Sequence, residues 1–230
     1  MLNSFRNAIC SDNDIKRVIG VQYPEDEELS VPELADFVST QYLSLLRNDS
    51  RGYVVVSQSF SGHVGMNLAH HHTPGQMIGQ VFVNAFASPP GPSWIHNGRL
   101  QVPANFFERQ PPPWMVSRMF LGAGGSGMHI VQAAGAKVEP RVMRQRLDIC
   151  LAHDSWSTWR CPDLLPGEST LYLRGEADAI VANEAAERMR EARPDILWER
   201  VPDGPHLLLQ RFGRPAARAV HTFCERLSNQ

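Results

Sequence analysis

The stretch from Tyr53 to Ala69, which reads YVVVSQSFSGHVGMNLA, joins a short apolar run to a segment with helical character. Its first four residues are typical of a buried strand, and a helix is predicted to begin near Phe60. Apart from Gln58 and Phe60, the residues at this junction are serine and glycine. Small residues allow a strand to turn sharply into a helix and to hold a serine hydroxyl exposed above the edge of a sheet. The stretch therefore makes Ser59 a candidate nucleophile.

Other strands and helices alternate along the chain on both sides of this junction. Residues 17–23 (RVIGVQY) are predicted to form a strand that Pro24 ends, and Ser30 is predicted to cap a helix with Pro32 in its first turn. Further strands are predicted at residues 81–86, 170–174 and 196–201, and further helices at 183–192 and 215–227. This alternation is typical of a parallel sheet with helices on both faces.

The segment before Thr170 interrupts the alternation. Proline clusters and a run of glycines punctuate it, and it contains no clear strand. We therefore predict a core formed by residues 1–86 and 169–230, with residues 87–168 as a helical cap insertion. Residues 122–127 (GAGGSG) fit the dinucleotide pattern G-x-G-x-x-G, but no strand of a βαβ unit precedes them, so a loop is the better interpretation.

Composition limits the classes of protein to which the chain can belong. Its 230 residues suit one domain, and a formal net charge of -2 gives no electrostatic basis for binding nucleic acid or an anionic membrane. No apolar run approaches the roughly 20 residues that a membrane helix requires. The first 17 residues are too polar for a signal peptide, so we predict a cytoplasmic protein.

Neither the cysteines nor the histidines indicate a metal centre. The four cysteines are widely spaced and form no C-x-x-C pair, which argues against a zinc site or a disulfide framework. His63, His70, His71 and His72 are close in sequence, but consecutive helix positions point about 100° apart and cannot face one ion together. We predict no metal and no cofactor.

Three side chains with complementary chemistry follow predicted strands: Ser59, Asp178 and His206. The carboxyl ends of parallel strands meet at one edge of a sheet, so these side chains are expected to lie together. A serine hydroxyl needs a base to activate it, and the base needs a third group to orient it. Asp154 is an alternative acid, whereas Asp203 is expected to shape the turn before His206.

At these positions the chain resembles the α/β-hydrolase superfamily, in its branch of small lipase-like and esterase-like serine hydrolases. The resemblance covers roughly residues 15–90 and 165–230 and is most specific in SQSFSG (57–62), LYLRGEADAIV (171–181) and GPHLLLQ (204–210). It implies an α/β-hydrolase fold in which Ser59 is the nucleophile, His206 the general base and Asp178 the orienting acid. The usual G-x-S-x-G motif has serine at both glycine positions here.

The resemblance also implies two backbone donors for the oxyanion. One is the N–H of Phe60, and the other belongs to a His-Gly loop after an N-terminal strand. Only 16 residues precede Arg17, and they contain neither that strand nor that loop. Loss of one donor costs roughly 10²- to 10³-fold in turnover. We therefore expect an N-terminally shortened fold with low activity, whose open sheet edge would favour a homodimer.

The expected reaction is hydrolysis of a small-molecule carboxylic ester with an apolar acyl or alcohol part, through an acyl-enzyme. The cap segment is rich in aromatic residues, and we predict that Trp94, Trp114 and Phe120 contribute to an apolar substrate pocket. The alternative is a catalytically weak or vestigial α/β-hydrolase that acts as a binding protein, because one scaffold can host several functions.

Overall fold

The computed structural model describes residues 3–10, 15, 17–46, 52–71, 76–91, 113–122 and 137–229. Four strands and nine α-helices occur in these ranges. Their order is α1 (Asn3–Ile9), α2 (Val31–Gln41), β1 (Tyr53–Gln58), α3 (Ser61–Leu68), β2 (Met77–Val83), α4 (Pro113–Leu121), α5 (Pro140–Ala152), α6 (Trp156–Trp159), β3 (Thr170–Gly175), α7 (Asn183–Ala192), β4 (Leu197–Val201), α8 (Leu208–Arg211) and α9 (Gly213–Ser228).

The strands form a parallel sheet in the order β1-β2-β3-β4. One line across the sheet runs from Val56 to Val81, Leu171 and Leu197, which are paired in turn. The predicted fold class, a parallel sheet within an α/β architecture, is confirmed. Because all four strands run in the same direction, the segments that follow them emerge at one edge.

Helices cover both faces of the sheet, and successive side chains of β2 pack against helices on opposite faces. Val81 and Val83 pack in the cluster that contains α1 and α9, whereas Phe82 packs in the cluster that contains α6 and α7. Tyr172 of β3 lies on the same face as Phe82. Since neighbouring residues of a strand point to opposite faces, a run of apolar residues without polar interruption is needed when both faces are covered.

Helix α2 begins as its sequence predicts. The Ser30 hydroxyl accepts a hydrogen bond from the Glu33 N–H, and the Glu33 carboxylate accepts one from the Ser30 N–H at 2.7 Å. This reciprocal capping satisfies two backbone donors that a helix start leaves free. The helix ends at Gln41, and residues Leu43–Leu46 form a 3-10 turn where the apolar pattern continues.

Residues 17–23 do not form the predicted strand. A strand requires a hydrogen-bonded neighbour, and in the described part of the chain β1 pairs with β2 alone. The segment packs through its side chains instead, with Val18 against the α1–α9 cluster and the Tyr23 ring at the edge of Phe60. The Gln22 N–H donates to the Tyr42 hydroxyl rather than to a strand. The apolar run is only partly buried, with Val21 43% exposed, and the strand prediction is wrong.

Strand β2 lies earlier than predicted, at Met77–Val83 instead of residues 81–86. It ends at Asn84, whose φ of 45° lies in the left-handed region that asparagine tolerates better than most residues. The Asn84 N–H still donates to Leu173 O at 3.0 Å. Asn84 therefore stands at the edge of the sheet and not within a strand.

Helices α4, α5 and α6 lie in the chain between β2 and β3. Helix α4 is tied to the segment after β4, because the Leu207 N–H donates to Phe120 O at 2.8 Å. Helix α5 is tied to the segment before α2, because Arg141 donates to Glu28 at 3.1 Å. That residues 87–168 act as a cap stays a prediction. None of the helices in the described ranges has the length and apolar character needed to cross a membrane.

Candidate active site

Ser59 lies on the sharp turn between β1 and α3, with a φ of 56°. Its N–H donates to Val83 O at 3.0 Å, and its carbonyl accepts from the Gly62 N–H at 2.8 Å. A left-handed conformation is strained for a residue with a side chain and persists where the surrounding structure enforces it. The turn therefore holds a partly exposed serine at the carboxyl edge of the sheet.

Two glycines of α3, Gly62 and Gly65, make room for this turn because they carry no side chain. A Cβ at Gly62 would lie 2.5 Å from the Cβ of Ala85, and one at Gly65 would meet the hydroxyl of Ser57. Ser57 therefore fits at the first glycine position of the motif because Gly65 leaves space for its buried side chain. At the second position, the Ser61 side chain hydrogen-bonds Tyr23, a residue whose pKa is raised by burial.

The His206 imidazole lies between Ser59 and Asp178 and is 1% exposed. Its Nε2 is 2.6 Å from Ser59 Oγ, and its Nδ1 is 2.9 Å from Asp178 Oδ2. Because an ionised carboxylate only accepts hydrogen bonds, a neutral imidazole here carries its proton on Nδ1. The free lone pair of Nε2 then accepts a hydrogen bond from the Ser59 hydroxyl. The structure thus brings the three predicted residues together.

Asp178 is held by four hydrogen-bond donors in a fully buried position. Its Oδ1 accepts from the N–H groups of Ile180 and Val181 at 2.7 and 3.0 Å. Its Oδ2 accepts from Arg174 at 3.2 Å as well as from His206. Arg174, on β3, is itself 7% exposed at its side chain. Buried charges are tolerated when they are paired and hydrogen-bonded, which is the case for both groups.

We expect Arg174→Met to lower the free energy of unfolding by roughly 3–5 kcal/mol, because removal of one partner leaves a buried charge uncompensated. Urea denaturation monitored by fluorescence would measure the loss. Arg200→Met is the matched control, since Arg200 pairs with Glu187 at 3.1 Å on the surface. Exposed pairs contribute about 0–1 kcal/mol. Equal losses in the two variants would contradict the role of Arg174.

The alternative acid, Asp154, lies elsewhere. It is exposed, and its Oδ1 accepts from the Trp156 N–H at 2.8 Å at the start of α6. Asp203 is exposed and has a φ of 55°, as expected of a residue in the turn before His206. Of the three aspartates considered, the structure places Asp178 against the imidazole.

Phe60 is the residue before α3, and in the described part of the chain its backbone N–H has no intramolecular acceptor. The start of a helix carries partial positive charge, so this N–H suits an oxygen that gains negative charge. Its role as oxyanion donor stays a prediction, as does the identity of a second donor.

The predicted substrate-binding residues differ in where they lie. The Phe120 ring contacts the His206 ring, with 5.7 Å between ring centroids and an interplanar angle of 63°. Trp114 lies earlier on α4 and is 67% exposed. Trp94 lies outside the described residues, as do residues 123–127 of the glycine run. Phe120 is thus the aromatic residue that the structure brings to the imidazole.

The neighbouring histidines of α3 and its C-terminal turn have separate partners. His63 Nδ1 is 2.8 Å from the Ser155 hydroxyl, His70 contacts Thr158, and His71 contacts Asp36. His72 lies outside the described residues. Within those ranges, no group of three histidine, cysteine or acidic side chains is arranged to hold a metal ion.

Burial lowers the pKa of the His63 imidazole from 6.5 to about 3, and the nearby His153 acts in the same direction. The unfolded chain therefore binds a proton as the pH falls through 6.5, whereas the folded protein does not. We expect the stabilising contribution of His63 to be fully present above pH 6.5. Between roughly pH 6 and 3, the free energy of unfolding should fall by about 1.4 kcal/mol for each pH unit by which the pH is lowered.

Denaturation curves between pH 4.5 and 7.5 would test this expectation. His63→Gln should flatten the dependence of unfolding free energy on pH, whereas the same change at the exposed His70 should leave it unaltered. A slope that is identical in the wild type and in His63→Gln would show that His63 does not titrate in this way.

Comparison with known proteins agrees with this architecture. A sequence model of the alpha/beta hydrolase family matches residues 17–219. A thermophilic esterase from Thermogutta terrifontis is 18% identical, with a TM-score of 0.66 over 98% of this chain and 85% of that chain. A lipase-esterase related protein from Clostridium acetobutylicum is 12% identical, with a TM-score of 0.66 over 96% of this chain and 88% of that chain.

E-2-(acetamidomethylene)succinate hydrolase is 15% identical, with a TM-score of 0.64 over 89% of this chain and 76% of that chain. No curated protein matches the sequence. At such identities the solved structures show a shared fold alone, whereas the family model covers most of the sequence. The family predicted from the motifs is therefore confirmed: the chain belongs to the alpha/beta hydrolase family.

Proposed function

We propose that this protein is a serine hydrolase that cleaves a carboxylic ester with an apolar acyl or alcohol part. The observation that carries the proposal is the His206 imidazole, with Nε2 2.6 Å from Ser59 Oγ and Nδ1 2.9 Å from Asp178 Oδ2. Such an arrangement activates a hydroxyl that is otherwise a weak nucleophile. Membership of the alpha/beta hydrolase family supports the same chemistry.

In the proposed first half of the reaction, Ser59 Oγ attacks the ester carbonyl while His206 Nε2 takes the hydroxyl proton. The carbonyl oxygen becomes negative and accepts a hydrogen bond from the Phe60 N–H. The tetrahedral intermediate then expels the alcohol, which takes the proton from the imidazolium. The acyl group remains on Ser59.

In the second half, water attacks the acyl-enzyme as His206 removes one of its protons. Collapse of the second intermediate releases the carboxylic acid and returns the proton to Ser59 Oγ. The Asp178 carboxylate stabilises the imidazolium that forms in both halves. Arg174 and the N–H groups of Ile180 and Val181 hold that carboxylate in place.

The proposed preference for an apolar group rests on the surroundings of the imidazole. The Phe120 ring lies against His206, with 5.7 Å between the ring centroids. Aromatic walls with few polar groups favour an apolar ligand. Trp94 and Trp114 are proposed as further wall residues.

Hydrolysis of p-nitrophenyl acetate, butyrate and octanoate would test the proposal. We expect turnover of all three, with a burst of p-nitrophenol equal to one equivalent of protein if deacylation is slower than acylation. No turnover of any ester, together with reversible binding of the intact substrates, would overturn the hydrolase proposal in favour of the binding protein.

A further inference from the structure

We infer that Gln58 and Asn84 are positioning residues that hold the backbone of His206 so that its ring meets both Ser59 and Asp178. The inference rests on the proposed function, because His206 is the proposed general base. Neither residue contacts the imidazole or the nucleophilic oxygen in the hydrogen bonds described below. Both act on the main chain that carries the ring.

Two side-chain amides, one at the end of β1 and one just after β2, converge on one carbonyl. Gln58, the last residue of β1, donates from Nε2 to His206 O at 2.8 Å. Asn84, which follows β2, donates from Nδ2 to the same oxygen at 3.0 Å and to Pro205 O at 2.9 Å. We call these two residues the amide clamp.

The amide clamp also reaches the strand that leads to the acid. Asn84 Oδ1 accepts from the Gly175 N–H at 2.7 Å, and Gly175 ends β3 three positions before Asp178. Asn84 is 0% exposed, so water does not replace these bonds. One buried amide therefore links the loop that carries the base to the strand that carries the acid.

The segment that carries His206 needs such support because no helix or strand contains it. Strand β4 ends at Val201, and α8 begins at Leu208. The ring must nevertheless satisfy two contacts at once, at 2.6 Å to Ser59 and at 2.9 Å to Asp178. Misplacement of a catalytic group by about 1 Å can cost roughly 10²-fold in rate.

The chemistry of an amide suits this position. Asn84 donates two hydrogen bonds and accepts one, which no carboxylate or hydroxyl does in the same plane. It also adds no charge beside the buried pair of Asp178 and Arg174. Asn84→Asp would keep the acceptor for Gly175, lose both donors and add a buried negative charge, whereas Gln58→Met removes one donor to His206 O without adding a charge.

The test compares Gln58→Met, Asn84→Asp and the double variant in p-nitrophenyl butyrate hydrolysis. Because the clamp acts on ring placement and not on substrate binding, we expect kcat per folded molecule to fall about 10- to 100-fold in the double variant with KM unchanged. Gln58→Met alone should lower kcat several-fold. If the variants of the buried Asn84 do not fold, Gln58→Met by itself still tests the inference.

Gln80→Met is the matched control. Gln80 is also a buried amide near the sheet centre, but it donates to Gly65 O at 3.1 Å, away from the His206 loop. Loss of this bond should lower thermal stability and leave kcat unaltered. A loss of kcat in Gln80→Met that equals the loss in the clamp variants would overturn the inference.

A second measurement does not depend on turnover. Nitrogen-15 NMR of the His206 side chain is expected to show one tautomer, with the proton on Nδ1, in the wild type and a mixture in the double variant. If the wild type hydrolyses no ester but the tautomer mixture appears, the clamp stands and the proposed function fails. The inference would be overturned if the clamp variants kept the single tautomer of the wild type. It would also be overturned if the wild type were active and the clamp variants had the same kcat.

Discussion

Replacement of Ser59 by alanine is expected to lower kcat for p-nitrophenyl ester hydrolysis by at least about 10⁴-fold, because Ser59 carries the hydroxyl that is proposed to form the acyl-enzyme. The hydroxyl hydrogen-bonds His206 Nε2, so its loss removes the proposed nucleophile and leaves the imidazole in place. Alanine keeps the Cβ of serine, and the turn with a φ of 56° is therefore retained. Steady-state kinetics and the circular dichroism spectrum would measure the two effects separately.

Ser61→Gly is the control for this variant. It restores the residue usual in the motif and removes a hydroxyl two positions from Ser59, at the start of α3. We expect it to keep its activity. Retention of more than about one-hundredth of wild-type kcat in Ser59→Ala would show that Ser59 is not the nucleophile.

Asp178→Asn is expected to lower kcat per folded molecule by roughly 10³- to 10⁴-fold. It should also lower the free energy of unfolding, because it removes the charge that pairs with the buried Arg174. The amide oxygen would accept from the Ile180 and Val181 N–H groups, as Oδ1 of the aspartate does. The amide NH₂ would then face His206 Nδ1 as a donor, so the imidazole proton would move to Nε2. In that tautomer Nε2 cannot take the proton of Ser59.

Asp154→Asn is the comparison variant, since Asp154 is exposed and accepts from the Trp156 N–H. It should change kcat little. If Asp154→Asn were the damaging change and Asp178→Asn were mild, the acid of the site would have to be reassigned.

Much of the core could be predicted from local patterns. The apolar runs at residues 53–56 and 170–174 lie in strands β1 and β3, and the predicted helix at Asn183–Ala192 is present with those bounds. Residues 17–23 have a similar composition but no strand partner in the ranges that the structure describes, so a local pattern alone misassigned them. Strand formation depends on a neighbour that the pattern of one segment does not reveal.

The closeness of Ser59 and His206 could be predicted, because each residue follows a predicted strand and the carboxyl ends of parallel strands lie at one edge of a sheet. The residues that sequence reasoning missed act across long separations. Asn84 is hydrogen-bonded to Gly175, which lies 91 positions away in the sequence, and Gln58 is hydrogen-bonded to His206, which lies 148 positions away. The signal that could have found Asn84 and Arg174 is a polar residue at the end of an apolar run, in VFVNAF and TLYLR. Such residues are buried only when partners exist elsewhere.

Labelling with a fluorophosphonate, followed by mass spectrometry of the modified peptide, shows directly whether Ser59 is the nucleophile. We expect one adduct on Ser59 in the wild type, none in Ser59→Ala and greatly slowed labelling in His206→Ala, because the imidazole activates the hydroxyl. An unlabelled wild-type protein, or an adduct on any other serine, would contradict it.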